Sequence, residues 1–512
     1  MRRLLLVLLP VLMTLWVHVP DLWWQYHTPA GYAFVGQASF VDQIDLSLYF
    51  RCIREGMNGS GFMIPNYADS AYSSRMPLYP TYLLLGAIGG RFIHSPELLF
   101  HSAGVIVGVL VLLTVYWFVG LFVHQEKWRL MGWYGVFLGG GLGWLFFPQM
   151  VFPDIGVPIF TVWSALRSPH EGITLICLLV CLGMTYCYFL DFQKYRLVCF
   201  GLCLFGLLVG HPQTIVPVGI IGLGYGFITI KRSQWKQLLW WIFTIMMSSA
   251  VYFGLIGHWL LLSPGSAGLR NQDTYVFPLY YWFIASGVIG LLALQRLRGW
   301  RDYVFLSWWF VVEIFLFYFP LVPYRGMMIR GIWVVIVVLA TQQLQLLMKK
   351  KKQYFAHVVV ELLLLISLGD WAFIITKRMD QSYIGKTGFV VQDDMAAYRF
   401  LQQQGFTGGM IGTYRTMNTV MGMTRLTPYA GHNPLTPNFG SRYPEVLAFY
   451  RQTMTEAAAM EWMKSNNIDW VVLGSYEQAL AQTPTLPYSF LIPVWSQRGI
   501  TIYRPSWALQ SF

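Results

Sequence analysis

Apolar runs separated by short polar gaps fill most of the first 375 positions. The runs at 98–122 and 331–348 are each long enough to cross a bilayer core of about 30 Å. The same pattern predicts spans near 130–147, 171–190, 197–211, 213–230, 238–262, 279–295, 303–320 and 355–375. Arg2-Arg3 lead into an apolar stretch from Leu4 to Val19, and no small-x-small cleavage site follows, only Pro20-Asp21-Leu22-Trp23-Trp24. That stretch is expected to remain as a first helix with its N-terminus on the cytoplasmic side. Segment 77–93 is apolar but interrupted by Gly86, Gly89 and Gly90, and is expected to lie in the outer interface rather than to cross. The total is about eleven transmembrane helices.

After Trp371 the pattern changes to polar turns and alternation. Trp470-Val471-Val472-Leu473-Gly474 predicts a buried strand, and Glu445 to Asn466 carries a helical period. The expected fold is a polytopic α-helical membrane protein. A module over 1–375, with a large first outer loop at 22–97, is followed by an extracytoplasmic α/β domain over 376–512.

Composition agrees with a membrane chain. Of 512 residues, 56% are hydrophobic and 11% charged, with a mean hydropathy of +0.50; a soluble protein carries about 25% charged residues. The net charge of +12 suggests nucleic acid until its placement is considered. Basic residues gather in the short gaps, at Lys127/Arg129, Lys194/Arg196, Lys231/Arg232/Lys236, Arg296/Arg298/Arg301 and Lys349 to Lys352. That is the positive-inside bias and argues against a nucleic-acid partner. Five of the six cysteines lie in apolar segments, where they read as packing residues rather than a disulfide or zinc framework.

Candidate chemistry collects on the side expected to face outward. Asp42, Asp45 and Tyr49 share one face of a predicted helix, with Arg51 and Arg54 further along and Arg75 beyond a glycine-rich break. Acids with nearby arginines just outside a bilayer suit the handling of a phosphorylated lipid, the alternative being a polar extramembrane loop with ordinary solvated charges. Asp154, in Phe152-Pro153-Asp154-Ile155-Gly156, either caps a helix or serves with Asp45 as a second carboxylate that orients an acceptor or holds a divalent cation. Arg325 and Arg330 flank one tight turn on the side where positive charge is not required for topology. Their planar guanidinium groups suit a phosphate leaving group, the alternative being snorkelling to headgroups. His170, His211 and His432 are further candidates for substrate contact, each with a structural alternative. No Walker loop, HExxH or Gly-x-Ser-x-Gly appears in a usable context, which argues against an ATP-driven pump and a soluble-type hydrolase.

The pieces DLSLYFRCIREGMNG, RMPLYPTYLLLG, GGGLGW, SPHEG, PYRGMMIRG and YAGHNPLTP resemble, in order along the whole chain, a bacterial branch of the GT-C class of membrane glycosyltransferases. The resemblance implies a multi-pass protein of the bacterial inner membrane that takes a sugar from a polyprenyl-phosphate carrier and passes it to a glycan, lipid or protein acceptor. By the family pattern Asp45 matches the acid of the first outer loop, Asp154 resembles the second acid, and Arg325 and Arg330 match the arginine-bearing outer loop. Asp154 has no adjacent second acid, so whether Mg or Mn is held there stays open. Two other readings are a transporter of lipid-linked sugars and a non-catalytic assembly protein.

Overall fold

The computed structural model describes residues 2–36, 43–61, 63–65, 75–147, 149–150, 152, 162–259, 276–299, 303–320, 325–349, 358, 366, 369–380 and 388–511. Their contacts divide them into two units.

The first unit comprises described residues of Met1–Val19, Phe100–Ile256 and Asp273–Lys377 and is helical. Among the described residues six helices are long and apolar enough to cross a membrane: Pro96–Phe122, Pro169–Leu190, Pro212–Thr229, Arg232–Gly257, Leu279–Leu297 and Arg325–Lys349. The apolar pattern predicts about eleven. Of the remainder, Lys194–Gly210 and Val304–Tyr318 are shorter helices, and most of 355–375 lies outside the described residues. The stretch Ile332–Ala340 is buried on every side, each residue at most 3% exposed, as expected of a helix that is apolar all round.

The span expected at 130–147 is much shorter. Its helix, Glu126–Phe137, has 12 residues, about 18 Å at 1.5 Å per residue, and stops before three glycines. Where water is absent, the carbonyls freed by such a stop need protein donors. The indole N–H of Trp333 donates to Val136 O at 3.1 Å and that of Trp371 to Phe137 O at 3.1 Å. The glycine strap then runs where no side chain fits: a Cβ on Gly140 would lie 1.8 Å from Asp370 Oδ2. Leu142 N–H donates to Ile284 O at 2.9 Å, a carbonyl freed by the break at Gly287, whose φ is 51°. Periodicity reads the strap as continuing the helix because glycine adds no polar signal.

The second unit draws on Pro20–Leu99 and Arg378–Phe512, so the loop after the first helix folds with the C-terminal segment. Tyr32–Phe34 pairs antiparallel with Phe389–Val391. A five-stranded sheet has the order Thr427–Pro428, Gly409–Ile411, Ile468–Leu473, Ile500–Pro505, Leu491–Gln497. The first three run parallel and the last two close an antiparallel hairpin. Arg498 and Gly499, both at positive φ, form its turn. Alternation along the strands makes two cores: Ile411, Val471 and Tyr503 face Phe449 and Met463, while Met410, Trp470 and Ile502 face Tyr398 and Leu401.

Helix Gln43–Met57 packs closely on helix Pro80–Gly89, because small residues meet backbone. A Cβ on Gly86 would lie 1.9 Å from Ile53 O, and one on Gly56 would lie 2.1 Å from Leu83 O. Gly86→Ala is expected to push the helices apart at a cost of about 1–3 kcal/mol, read as a lower melting temperature; an unchanged melting temperature would rule out this packing.

Candidate functional site

Helix Gln43–Met57 is fixed by its arginines. Arg51 donates to Thr424 O and, at 3.2 Å, to Arg425 O, while Arg54 donates to Gly422 O. These carbonyls lie at the C-terminal end of helix Tyr414–Met423, where backbone acceptors lack intrahelical partners and cations are favoured. Arg51 also pairs with Glu55 at 2.9 Å. Both arginines therefore hold the helix in place, where the sequence suggests a lipid-phosphate role.

The held helix carries Asp45 in its first turn, where the helix dipole favours a carboxylate. Its Oδ1 lies 2.6 Å from His432 Nε2. The two side chains differ in access: Asp45 is 35% exposed and His432 only 5%. His432 Nδ1 is buried without a hydrogen-bond partner among the described residues. The loop around the histidine is closed on itself. Thr436 N–H and Oγ1 both reach His432 O, at 2.9 and 3.1 Å, and Gly431 N–H donates to Thr436 Oγ1 at 3.2 Å. Burial, and then the negative charge of Asp45, push the Tyr414 phenol upward, which places that ring within the field of the carboxylate. The result is a solvent-open carboxylate backed by a buried imidazole, a pairing suited to accepting a proton.

The first unit holds a second cluster. Pro169 opens helix Pro169–Leu190 at its first position and Glu171 sits in the first turn. Arg330 donates to Glu171 Oε2. Glu171 Oε1 lies 3.3 Å from His170 Nε2 and 3.3 Å from His211 Nε2. All four residues are buried, at 9% exposure or less. His170, Glu171 and His211 offer three ligand atoms within 4.8 Å of one another, while the positive charge that meets Glu171 in this structure is the Arg330 guanidinium.

Of the residues singled out from sequence, the structure brings Asp45 to His432, and His170, His211 and Arg330 to Glu171. Arg325 opens the turn Arg325–Ile329, is half-buried, and has no ion pair among the described residues. Tyr49 is buried against the rings of Tyr79 and Tyr82, at 5.0 and 4.6 Å. Arg75 lies in a short strand opposite Pro65. Asp42 and Asp154 lie outside the described residues. Glu171 stands in the sequence beside His170 as one more ionisable residue on the outward side, an acid starting an apolar helix; its central place among His170, His211 and Arg330 is not visible there.

The chain is similar in fold to the oligosaccharyltransferase of Archaeoglobus fulgidus in its apo form, with a TM-score of 0.57 and 14% identity over 94% of this chain and 71% of that one. The same enzyme, AglB, in complex with an inhibitory peptide and a dolichol-phosphate gives 0.57 and 12%, over 91% and 68%. The arabinofuranosyltransferase AftD from Mycobacteria gives 0.56 and 11%, over 96% of this chain and 41% of that one. Both are GT-C glycosyltransferases, so this chain shares the GT-C fold. No family model and no curated protein matches its sequence.

Proposed function

We propose that the chain is a membrane glycosyltransferase. It takes a sugar from a polyprenyl-phosphate carrier and passes it to an extracytoplasmic glycan, lipid or protein acceptor, as a multi-pass protein of the bacterial inner membrane. The observation that carries this reading is the Asp45–His432 pair, set in a fold shared with AglB and AftD. The complex of AglB with a dolichol-phosphate supports a lipid-linked donor.

The reaction is a single displacement with inversion. His432 occupies Oδ1 of Asp45 and holds the carboxylate plane, leaving Oδ2 for the acceptor. Asp45 takes the acceptor proton as the acceptor oxygen bonds to the anomeric carbon. The bond from that carbon to the carrier phosphate breaks, and the phosphate leaves with the electron pair. Arg325 stabilises the departing charge, because Arg330 is already committed to Glu171. Asp154 is the second acid and orients the acceptor. Asp154 would be the carboxylate to hold a divalent cation, which would supply further stabilisation of the departing charge.

The test is donor consumption by the protein in lipid nanodiscs, with a panel of polyprenyl-phosphate hexoses and pentoses, membrane extract as acceptor and mass-spectrometric readout. Loss of one donor with wild type but not with Asp45→Asn is the expected result; no loss of any donor overturns the proposal. Arg325→Gln is expected to lower kcat by about 10²-fold with a smaller change in KM, and an unaltered kcat would remove it from the leaving-group role.

A further inference from the structure

Helices Lys194–Gly210 and Trp235–Tyr252 pack side by side in the first unit, with their N-terminal ends on the same side. Ser248 Oγ donates to Gly201 O at 3.2 Å, and a Cβ on Gly201 would lie 3.0 Å from Thr244 Cγ2. These small residues form the floor of a groove of about 920 Å³, walled by apolar side chains that include Val198, Leu202, Trp240 and Phe243. That volume is at the upper end of the range of about 300–1,000 Å³ for ligand clefts. The lining extends from Lys236 to Val251, about 22 Å along the helix at 1.5 Å per residue. This exceeds half of a bilayer core about 30 Å thick.

The groove is charged at one end only. Lys194 and Lys236 line it there, both exposed and neither in an ion pair among the described residues. Arg196, Lys231 and Arg232 belong to the same turns, with Asp191 as the one acid, and Asp191 pairs with Arg196 at 3.3 Å. Two helix N-termini add to the positive potential. An apolar channel with unpaired ammonium groups at its mouth matches a molecule with an anionic head and a hydrocarbon tail.

We propose that this groove binds an anionic glycerophospholipid, with its headgroup phosphate on Lys194 and Lys236 and its acyl chains along Val198, Leu202, Trp240 and Phe243. The site shares no residue with the Asp45–His432 pair and does not depend on the glycosyltransferase reading. The lysines set selectivity for charge, while the groove sets retention of the chains. On this basis the lysines act on headgroup choice and the walls act on every diacyl lipid alike.

The test is native mass spectrometry of the full chain in detergent, titrated with phosphatidylglycerol and with phosphatidylcholine of the same acyl chains. Wild type is expected to bind phosphatidylglycerol about 25-fold more tightly, from roughly fivefold per lysine near an anionic group. K194Q/K236Q brings the two lipids to parity with phosphatidylcholine binding unchanged. Val198→Trp, an exposed position, fills the groove and weakens both lipids. Equal binding of the two lipids by wild type overturns the proposal, as does a preference that survives in K194Q/K236Q. Displacement of phosphatidylglycerol by a lower concentration of polyprenyl phosphate also overturns it, since the occupant is then an isoprenoid.

Discussion

Asp45→Asn protein is expected to fold, insert and bind donor, yet to transfer sugar about 10²–10⁴-fold more slowly, the range attributable to a positioned general base. The substitution keeps the shape and the hydrogen bond to His432 Nε2 while removing the proton acceptor. Because Asp45 lies at a helix N-terminus with a third of its side chain exposed, losing its charge disturbs little packing. His432 distinguishes positioning from plain structure. His432→Gln offers an amide donor near the same place and is expected to retain more kcat than His432→Ala, with KM for the donor similar in both. Equal transfer by Asp45→Asn and wild type removes Asp45 as the base.

Breaking the Glu171–Arg330 pair is expected to have the largest effect on stability. Both side chains are buried, and the Nε2 atoms of His170 and His211 each lie 3.3 Å from the other oxygen of the carboxylate. Removing one member of a buried pair leaves the other uncompensated, at a cost of about 3–5 kcal/mol. Arg330→Met and Glu171→Gln should each lower the apparent melting temperature sharply and reduce the yield of monodisperse protein. The double variant Glu171→Gln/Arg330→Met should be more stable than Arg330→Met alone, because no unpaired carboxylate remains. A double variant whose loss equals the sum of the single losses would argue that the two groups act independently.

How far the sequence discloses the fold depends on the range of the signal. Apolar runs at 98–122, 171–190 and 331–348 correspond to Pro96–Phe122, Pro169–Leu190 and Ile332–Lys349, because burial and period are local properties. The stop at Phe137 has a local signal in the glycines that follow, but what sustains it is not legible. It rests on tryptophans at 333 and 371 reaching freed carbonyls, and nothing near residue 137 encodes them. The site divides in the same way. Asp45, Arg330, His170 and His211 draw attention as ionisable groups in an apolar chain. Their pairings join residues 159 apart, as for Glu171 and Arg330, or 387 apart, as for Asp45 and His432. Arg51 and Arg54 show the cost of reading charge without partners: two carbonyl caps look like phosphate ligands until the far helix is in view.

The 387-residue separation of Asp45 and His432 has a consequence for biogenesis. At about 5–20 residues per second the ribosome needs roughly 20–80 s after making the aspartate to reach the histidine. Helix Gln43–Met57 also waits through that interval for Thr424 and Gly422, whose carbonyls hold Arg51 and Arg54. The nascent first loop therefore carries charged groups with no final partners while the intervening helices are being inserted. Its assembly waits for the C-terminal segment, and a chain truncated before residue 422 would leave a loop exposed to proteases and quality control.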